Sequence, residues 1–235
     1  MEPLRGASSS SGSSTSASSS SASSPSRGGR VGVRAASPGA FAEIVVVVAP
    51  LAAAQAAAMF LVGLTETFGL PLVLVMMGAA EDHADLCVRL QAHCALPLRQ
   101  VDDKDPIVSG RIHLAPAGYH VLVERGGFVL STEGPVNGAR PSIDVLLESV
   151  ADAFGEGVVC VLLGGATTEA GVADGRAGAA RIRATGGLVI VQNPMTALTG
   201  QLAASPPLAA VPSAAVLHLS EIAPFVTRLG DREAT

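Results

Sequence analysis

Ile44-Val45-Val46-Val47-Val48-Ala49-Pro50 opens the folding part of the chain. A short, uninterrupted β-branched run has no polar face, which is the pattern of a strand covered on both sides within a parallel sheet. Pro50 ends the run and suits the first turn of a helix over 51–64, where the alanines, Met59, Phe60, Leu61 and Leu64 make a mostly buried surface. Gly69-Leu70-Pro71 stop that helix, and a second apolar strand follows over 72–76. Strand, helix and strand in this order form one parallel crossover unit.

The same unit recurs on either side of an interruption. Asp82 or His83 opens a helix carrying Leu86, Val88, Leu90 and Cys94, which Pro97 closes before a polar stretch with Asp102, Asp103, Lys104 and Asp105. Extended pieces over 111–115, 120–124 and 128–131 then break the alternation. The last two flank Arg125-Gly126-Gly127, the spacing of an antiparallel hairpin. Ser142 caps a helix bearing Ile143, Val145, Leu146, Leu147 and Val150, with Asp144 near its positive end. Strands over 158–163 and 188–192 enclose an alanine-rich helix over 174–185 that ends at Gly186-Gly187. An extended segment over 214–219 and a helix over 220–229 finish the pattern. The expected fold is α/β, a doubly wound three-layer sandwich with a mainly parallel sheet and an inserted antiparallel hairpin. Its ligand site belongs at the carboxyl ends of the strands.

Composition bounds what such a domain can do. Residues 8–24 are almost all Ser, with a few Ala, Gly and Thr and nothing to bury against the entropy cost of ordering. The 235 residues therefore divide into a disordered Ser-rich tail over 1–40, one domain over 41–230 and a short C-terminal tail over 231–235. Four arginines against Glu2 give the N-terminal tail about +3, so the rest carries about −8 of the net −5, which argues against a nucleic-acid groove. A serine-rich, arginine-bearing, acid-poor start is also the composition of an organelle transit peptide. The first thirty residues lack the apolar stretch of a secretory signal. The most apolar region, 52–77, holds Glu66 and is broken by Gly69 and Pro71, so no membrane insertion is expected. Cys87, Cys94 and Cys160 are odd in number and show neither Cys-x-x-Cys pairing nor zinc spacing, which points to a reducing cytoplasm and no metal.

One stretch is far more specific than these patterns. Gly134-Pro135-Val136-Asn137-Gly138-Ala139-Arg140-Pro141-Ser142-Ile143-Asp144-Val145-Leu146 resembles a Pro-Val-Asn, Arg-Pro-Ser, helix segment of the protein-glutamate methylesterase (CheB-type) catalytic domain. Gly110 to Pro116, Asp174-Gly175 followed by Ala177-Gly178, and Gly186-Gly187 leading to Gln192-Asn193 fall in that family's order. The resemblance covers nearly all of 44–229 and implies a bacterial chemotaxis protein, without a cofactor, whose relatives remove methyl esters from chemoreceptor glutamates.

The resemblance also implies a triad, and here the chain departs from it. In the family a serine after the first strand attacks the ester, a histidine after the second shuttles its proton, and an aspartate orients the histidine. Pro50, or Leu51 if the turn slips by one, stands at the serine position. Met77 stands at the histidine position, and a thioether cannot accept a proton at neutral pH. Asp174 matches the triad acid. Gly164 and Gly165 match the loop whose backbone donors serve the oxyanion, but the segment 167–173 is longer than the family's compact loop.

The remaining candidates each have a structural reading beside the functional one. Asp174 is read as capping the helix that follows it, or as a relic of catalysis. Asn137, Arg140 and Ser142 are read first as local structure and second as a binding surface bordering the site. Thr167, Thr168 and His83 are read as loop and helix-start residues rather than a substitute nucleophile and base. Cys160 reads as core, and Cys87 and Cys94 as helix packing. Met76 and Met77 serve equally as core or as an adaptable partner surface. The expected function is a chemosensory pseudoenzyme that binds a chemoreceptor, a signalling protein or a second copy of itself; the competing reading is an active ester hydrolase with a rearranged site. A low-complexity start cannot house a receiver domain, so phosphorylation control in cis is not expected.

Overall fold

The first strand, β1 (Ile44–Pro50), has every side chain from Ile44 to Ala49 at 0% exposure, which is possible only when both faces are covered. It pairs in parallel with β2 (Leu72–Met77) on one side and with the later strand β7 (Val158–Leu162) on the other. Outward from β2 lie β4 (Ile112–Leu114) and β3 (Leu98–Gln100); outward from β7 lie β8 (Leu188–Gln192) and β9 (Ala215–Leu217). The seven-stranded sheet thus has the order β3-β4-β2-β1-β7-β8-β9, every pairing parallel. The strands β1 to β4 fill one side, with β3 at the edge and β4 returning between it and β2, and β7 to β9 fill the other, so the topological switch lies between β1 and β7. The hairpin β5 (His120–Glu124) and β6 (Gly127–Ser131) forms a separate antiparallel pair. The computed structural model describes residues 42–78, 85–164, 174–196 and 214–230.

Alternation along the strands sends side chains to two separate cores. Val45, Val47, Leu72, Leu74 and Met76 join Ala56, Ala57, Phe60 and Leu61 of α1 (Ala54–Val62), Leu86 and Leu90 of α2 (Leu86–Gln91), and Ile222 and Val226 of α5 (Leu219–Gly230). Ile44, Val46, Val48, Val73 and Val75 join α3 (Ile143–Phe154), α4 (Arg176–Ala184) and the inner face of the hairpin through Val121, Val123 and Phe128. This is the doubly wound three-layer sandwich read from the sequence. Each buried Val or Leu contributes about 1.5–3 kcal/mol relative to exposure, whereas helices as short as α1 and α4 would not form alone. The sheet therefore organises the helices, not the reverse.

Some boundaries differ from the sequence reading. The 51–64 helix starts as a 3-10 turn over Leu51–Ala53 and is α-helical only from Ala54 to Val62. The helix carrying Leu86 ends at Gln91, so Cys94 lies beyond it, and Val88 on its outer side is 74% exposed. Its start at Asp82 or His83 lies outside the described residues. The edge strand β3 was hidden because Pro97 and the acids after it read as loop. It is three residues long and covered at one end by α2: Gln91 Oε1 accepts the Leu98 N–H at 2.7 Å. No described helix is long and apolar enough to cross a membrane.

Candidate functional site

The carboxyl ends of β2, β1, β7 and β8 meet the amino ends of the helices that follow, and the candidate residues gather there. Pro50 and Met77 are register partners at the ends of β1 and β2. Met77 packs on the α3 side of the sheet, and alternation from Ile44, Val46 and Val48 turns Pro50 to that side too. Leu51 lies over Gly78, where a Cβ would collide with the Leu51 side chain. Apolar atoms thus occupy the turns in which the resemblance places a serine and a histidine.

Gly164, just past β7, adjoins this corner. It holds φ +63°, and a Cβ there would collide with Ala53 and lie 3.5 Å from Pro50 Cδ, so only glycine fits both the backbone and the space. Its N–H donates to Gln192 Oε1 at 2.8 Å, and Gln192 Nε2 donates to the Thr196 carbonyl at 3.2 Å. Gln192 is buried at the end of β8. The donor that the loop reading assigns to an oxyanion is engaged inside the protein. Gly165, Thr167, Thr168 and His83 lie outside the described residues.

Asp174 is 1% exposed and makes the densest polar contacts of the corner. Its carboxylate accepts from the Ile143 N–H at 2.7 Å, the Asp144 N–H at 3.1 Å and the Ser142 hydroxyl at 2.8 Å, and Asn137 Nδ2 lies at 3.5 Å. It does not cap its own helix: the cap of α4 is Gly175, with φ +95° and no side-chain bond. That corrects the sequence reading. Asp174 instead satisfies the free N–H groups at the start of α3, where a carboxylate also meets the positive end of the helix dipole. Gly175 permits the approach, since a Cβ there would lie 2.8 Å from Ile143 Cγ2.

The motif 134–146 reads as a device for the same junction. Asn137 and Gly138 both have positive φ, 52° and 75°, and Val136 and Ala139 exchange backbone bonds across them. This is the type I′ turn that Asn-Gly favours. The turn aims Asn137 Nδ2 at Asp144 Oδ2, 2.9 Å away. Arg140 is exposed and donates to the carbonyls of Thr132 and Glu133, both at 3.1 Å. Ser142 is fully buried; its hydroxyl accepts from the Val145 N–H at 3.5 Å as the expected cap of α3 and donates to Asp174. His120 of the hairpin fixes the other side of the segment, Nδ1 accepting from the Ser142 N–H at 3.2 Å and Nε2 donating to Gly134 O at 3.0 Å.

Sequence reasoning missed the second carboxylate of the cluster. Asp144 is 6% exposed, accepts from the Gly178 N–H at 2.7 Å and so ties α3 to α4. Burial pushes its carboxyl above the ordinary value of 3.8, and the nearby Asp174 charge adds to the rise against the Gly178 bond. Its helical position beside the Ser142 cap was visible in the sequence; that the face points at α4 was not. Among the described residues no group of three or more His, Cys, Asp or Glu side chains is placed to hold a metal ion. Cys160 is buried in β7, and burial pushes its thiol up to about 12, which fits core packing and not nucleophilic chemistry.

Comparison with known proteins places this architecture. The family model described as CheB methylesterase matches residues 45–226. A Leptospira interrogans protein, provisionally named a protein-glutamate methylesterase/protein-glutamine glutaminase, is 33% identical over 170 residues, covering 71% of this chain and 83% of its own. The Rhodospirillum rubrum protein-glutamate methylesterase/protein-glutamine glutaminase 1 is 33% identical over 167 residues, 69% of this chain but 41% of the longer relative. The crystal structure of the Thermotoga maritima CheB methylesterase catalytic domain shares the fold, with a TM-score of 0.70 at 23% identity over 80% of this chain and 98% of that one. With the family match running over 45–226, nearly all of the folded body, and a relative one-third identical across most of both chains, the chain belongs to the CheB methylesterase family.

Proposed function

We propose that this chain is a chemosensory pseudoenzyme, a methylesterase-like domain that acts in the bacterial cytoplasm by binding a chemoreceptor or another chemosensory protein without hydrolysing its methyl esters. The observation that carries the reading is the pairing of Pro50 with Met77 at the ends of β1 and β2. Ester hydrolysis by a triad needs a hydroxyl and an imidazole in that corner, and neither proline nor methionine offers a nucleophile or a proton acceptor. The engagement of the Gly164 N–H by Gln192 supports it, because an oxyanion donor must be free to act. Loss of one triad member already costs several powers of ten in rate.

Asp174 stays because it holds the start of α3, which requires no catalysis. The exposed Asn137 and Arg140 border the corner and are the binding residues of this reading, with Gly164 beside them. The reading takes from the relatives' names that glutamate or glutamine side chains of a protein are the surface recognised. An active esterase with a rearranged site has Asp174 as its support among the described residues, and that carboxylate is already fully engaged.

The test is association of the full chain with the methylated cytoplasmic fragment of a chemoreceptor, followed by biolayer interferometry. Saturable binding that Arg140→Glu weakens about tenfold or more is expected, since charge reversal at an exposed contact opposes an acidic partner. Absence of binding to methylated and unmethylated fragments alike removes the proposal.

A further inference from the structure

The sheet edge carries a second polar concavity, remote in sequence from the corner just described. A cleft of about 590 Å³ runs along β3 and the start of β4, and Gln91, Arg99, Asp102, Asp105, Arg111 and His113 are among its lining residues. None of Pro50, Met77, Asp174 or Gln192 borders it. Arg99 and His113 are register partners on the two edge strands. Arg111, two residues before His113, alternates to the same face.

Arg111 Nε is buried and has no hydrogen-bond partner, the one such side-chain nitrogen or oxygen among the described residues. A buried donor left unmet is costly, and folded proteins usually meet such a group with a protein, solvent or ligand acceptor. Three neighbouring side chains are already engaged elsewhere. Gln91 accepts from the Leu98 N–H and donates to Leu96 O at 3.1 Å, His113 Nε2 sits 3.1 Å from the Val108 nitrogen, and Asp105 Oδ2 accepts from the Asp102 N–H at 2.8 Å. None of these bonds reaches Arg111, which leaves its guanidinium open to an added acceptor.

The charge of the lining selects the class of acceptor. Burial holds the His113 imidazole below its ordinary value, and the Arg111 charge works in the same direction against the Val108 carbonyl and Asp105. The lining thus holds two arginines and two aspartates beside a histidine whose charged form is disfavoured. A dianionic phosphate would meet Asp102 and Asp105 with repulsion, whereas a molecule that carries carboxylate and ammonium groups together matches both signs. The volume is that of a small-molecule site, typically about 300–1,000 Å³.

We propose that this cleft binds a small amino-acid-like zwitterion, its carboxylate on the Arg111 guanidinium and its ammonium toward Asp102. Arginine's planar fork suits a carboxylate. The proposal is independent of the pseudoenzyme reading, because no residue is shared.

The experiment is isothermal titration of the full chain with L-glutamate, acetate and inorganic phosphate, repeated on Arg111→Gln and Asp102→Asn, with thermal melts to confirm folding. L-Glutamate is expected to bind saturably and more tightly than acetate. Arg111→Gln should weaken it about tenfold or more, the scale of one lost charge-assisted bond. Asp102→Asn should weaken L-glutamate and leave acetate unchanged, which keeps the test decisive if Arg111→Gln does not fold. No saturable binding of L-glutamate, equal binding by a folded Arg111→Gln, or tighter binding of phosphate than of L-glutamate would overturn the proposal.

Discussion

Two halves of one corner stand in contrast. At the start of α3, Asn137, Ser142, Asp144 and Asp174 are locked together and to backbone N–H groups. At the ends of β1 and β2, Pro50, Leu51, Met77 and Gly78 make apolar contacts and, among the described residues, no comparable side-chain bonds. The difference separates what a fold needs from what a reaction needs. A residue that satisfies buried donors cannot be replaced cheaply. A nucleophile or a base that holds nothing else in place can be exchanged for proline or methionine with the architecture intact.

If that division is right, the largest stability loss comes from the retained acid. Asp174→Ala leaves the Ser142 hydroxyl and the Ile143 and Asp144 N–H groups without their acceptor, and should cost about 3–5 kcal/mol in urea unfolding. Gly164→Ala follows at about 2–4 kcal/mol, because it forces an L side chain to φ +63° against Ala53. Ser142→Ala removes the cap of α3 and a donor to Asp174, for about 1–2 kcal/mol. By contrast Pro50→Ser combined with Met77→His should shift stability by less than about 1 kcal/mol, since both positions are only half-buried. A larger loss in that double variant would break the comparison.

The smallest effect is a dependence on pH. Burial raises the Asp144 carboxyl, so the folded chain holds that proton more tightly than the unfolded chain does. Stability from this group is therefore highest below 3.8 and falls as the pH climbs from there through the raised value, then levels off. Asp144→Asn should lack that fall, as urea midpoints between pH 3 and 7 would reveal.

Much of the fold was legible because its cues are local. The Ile44–Pro50 run declares a strand buried on both faces, Arg125-Gly126-Gly127 declares a hairpin, and Ser142 declares a helix start. What was not legible depends on contacts between distant segments. Asp174 reads locally as the cap of α4, and only the packing of α4 on α3 turns it to another helix, 30 residues back in the case of Asp144. Gln192 gives no sign in sequence that it holds Gly164, 28 residues away. The edge strand β3 was lost for a related reason: three residues after a proline carry too little alternation to be seen.

The most direct measurement is methanol release from methylated chemoreceptor by the full chain, with an active methylesterase alongside. No release above the uncatalysed background is expected. Release above background that disappears in Asp174→Asn, with the melting temperature of that variant retained, would contradict the pseudoenzyme reading and place a working nucleophile in this corner.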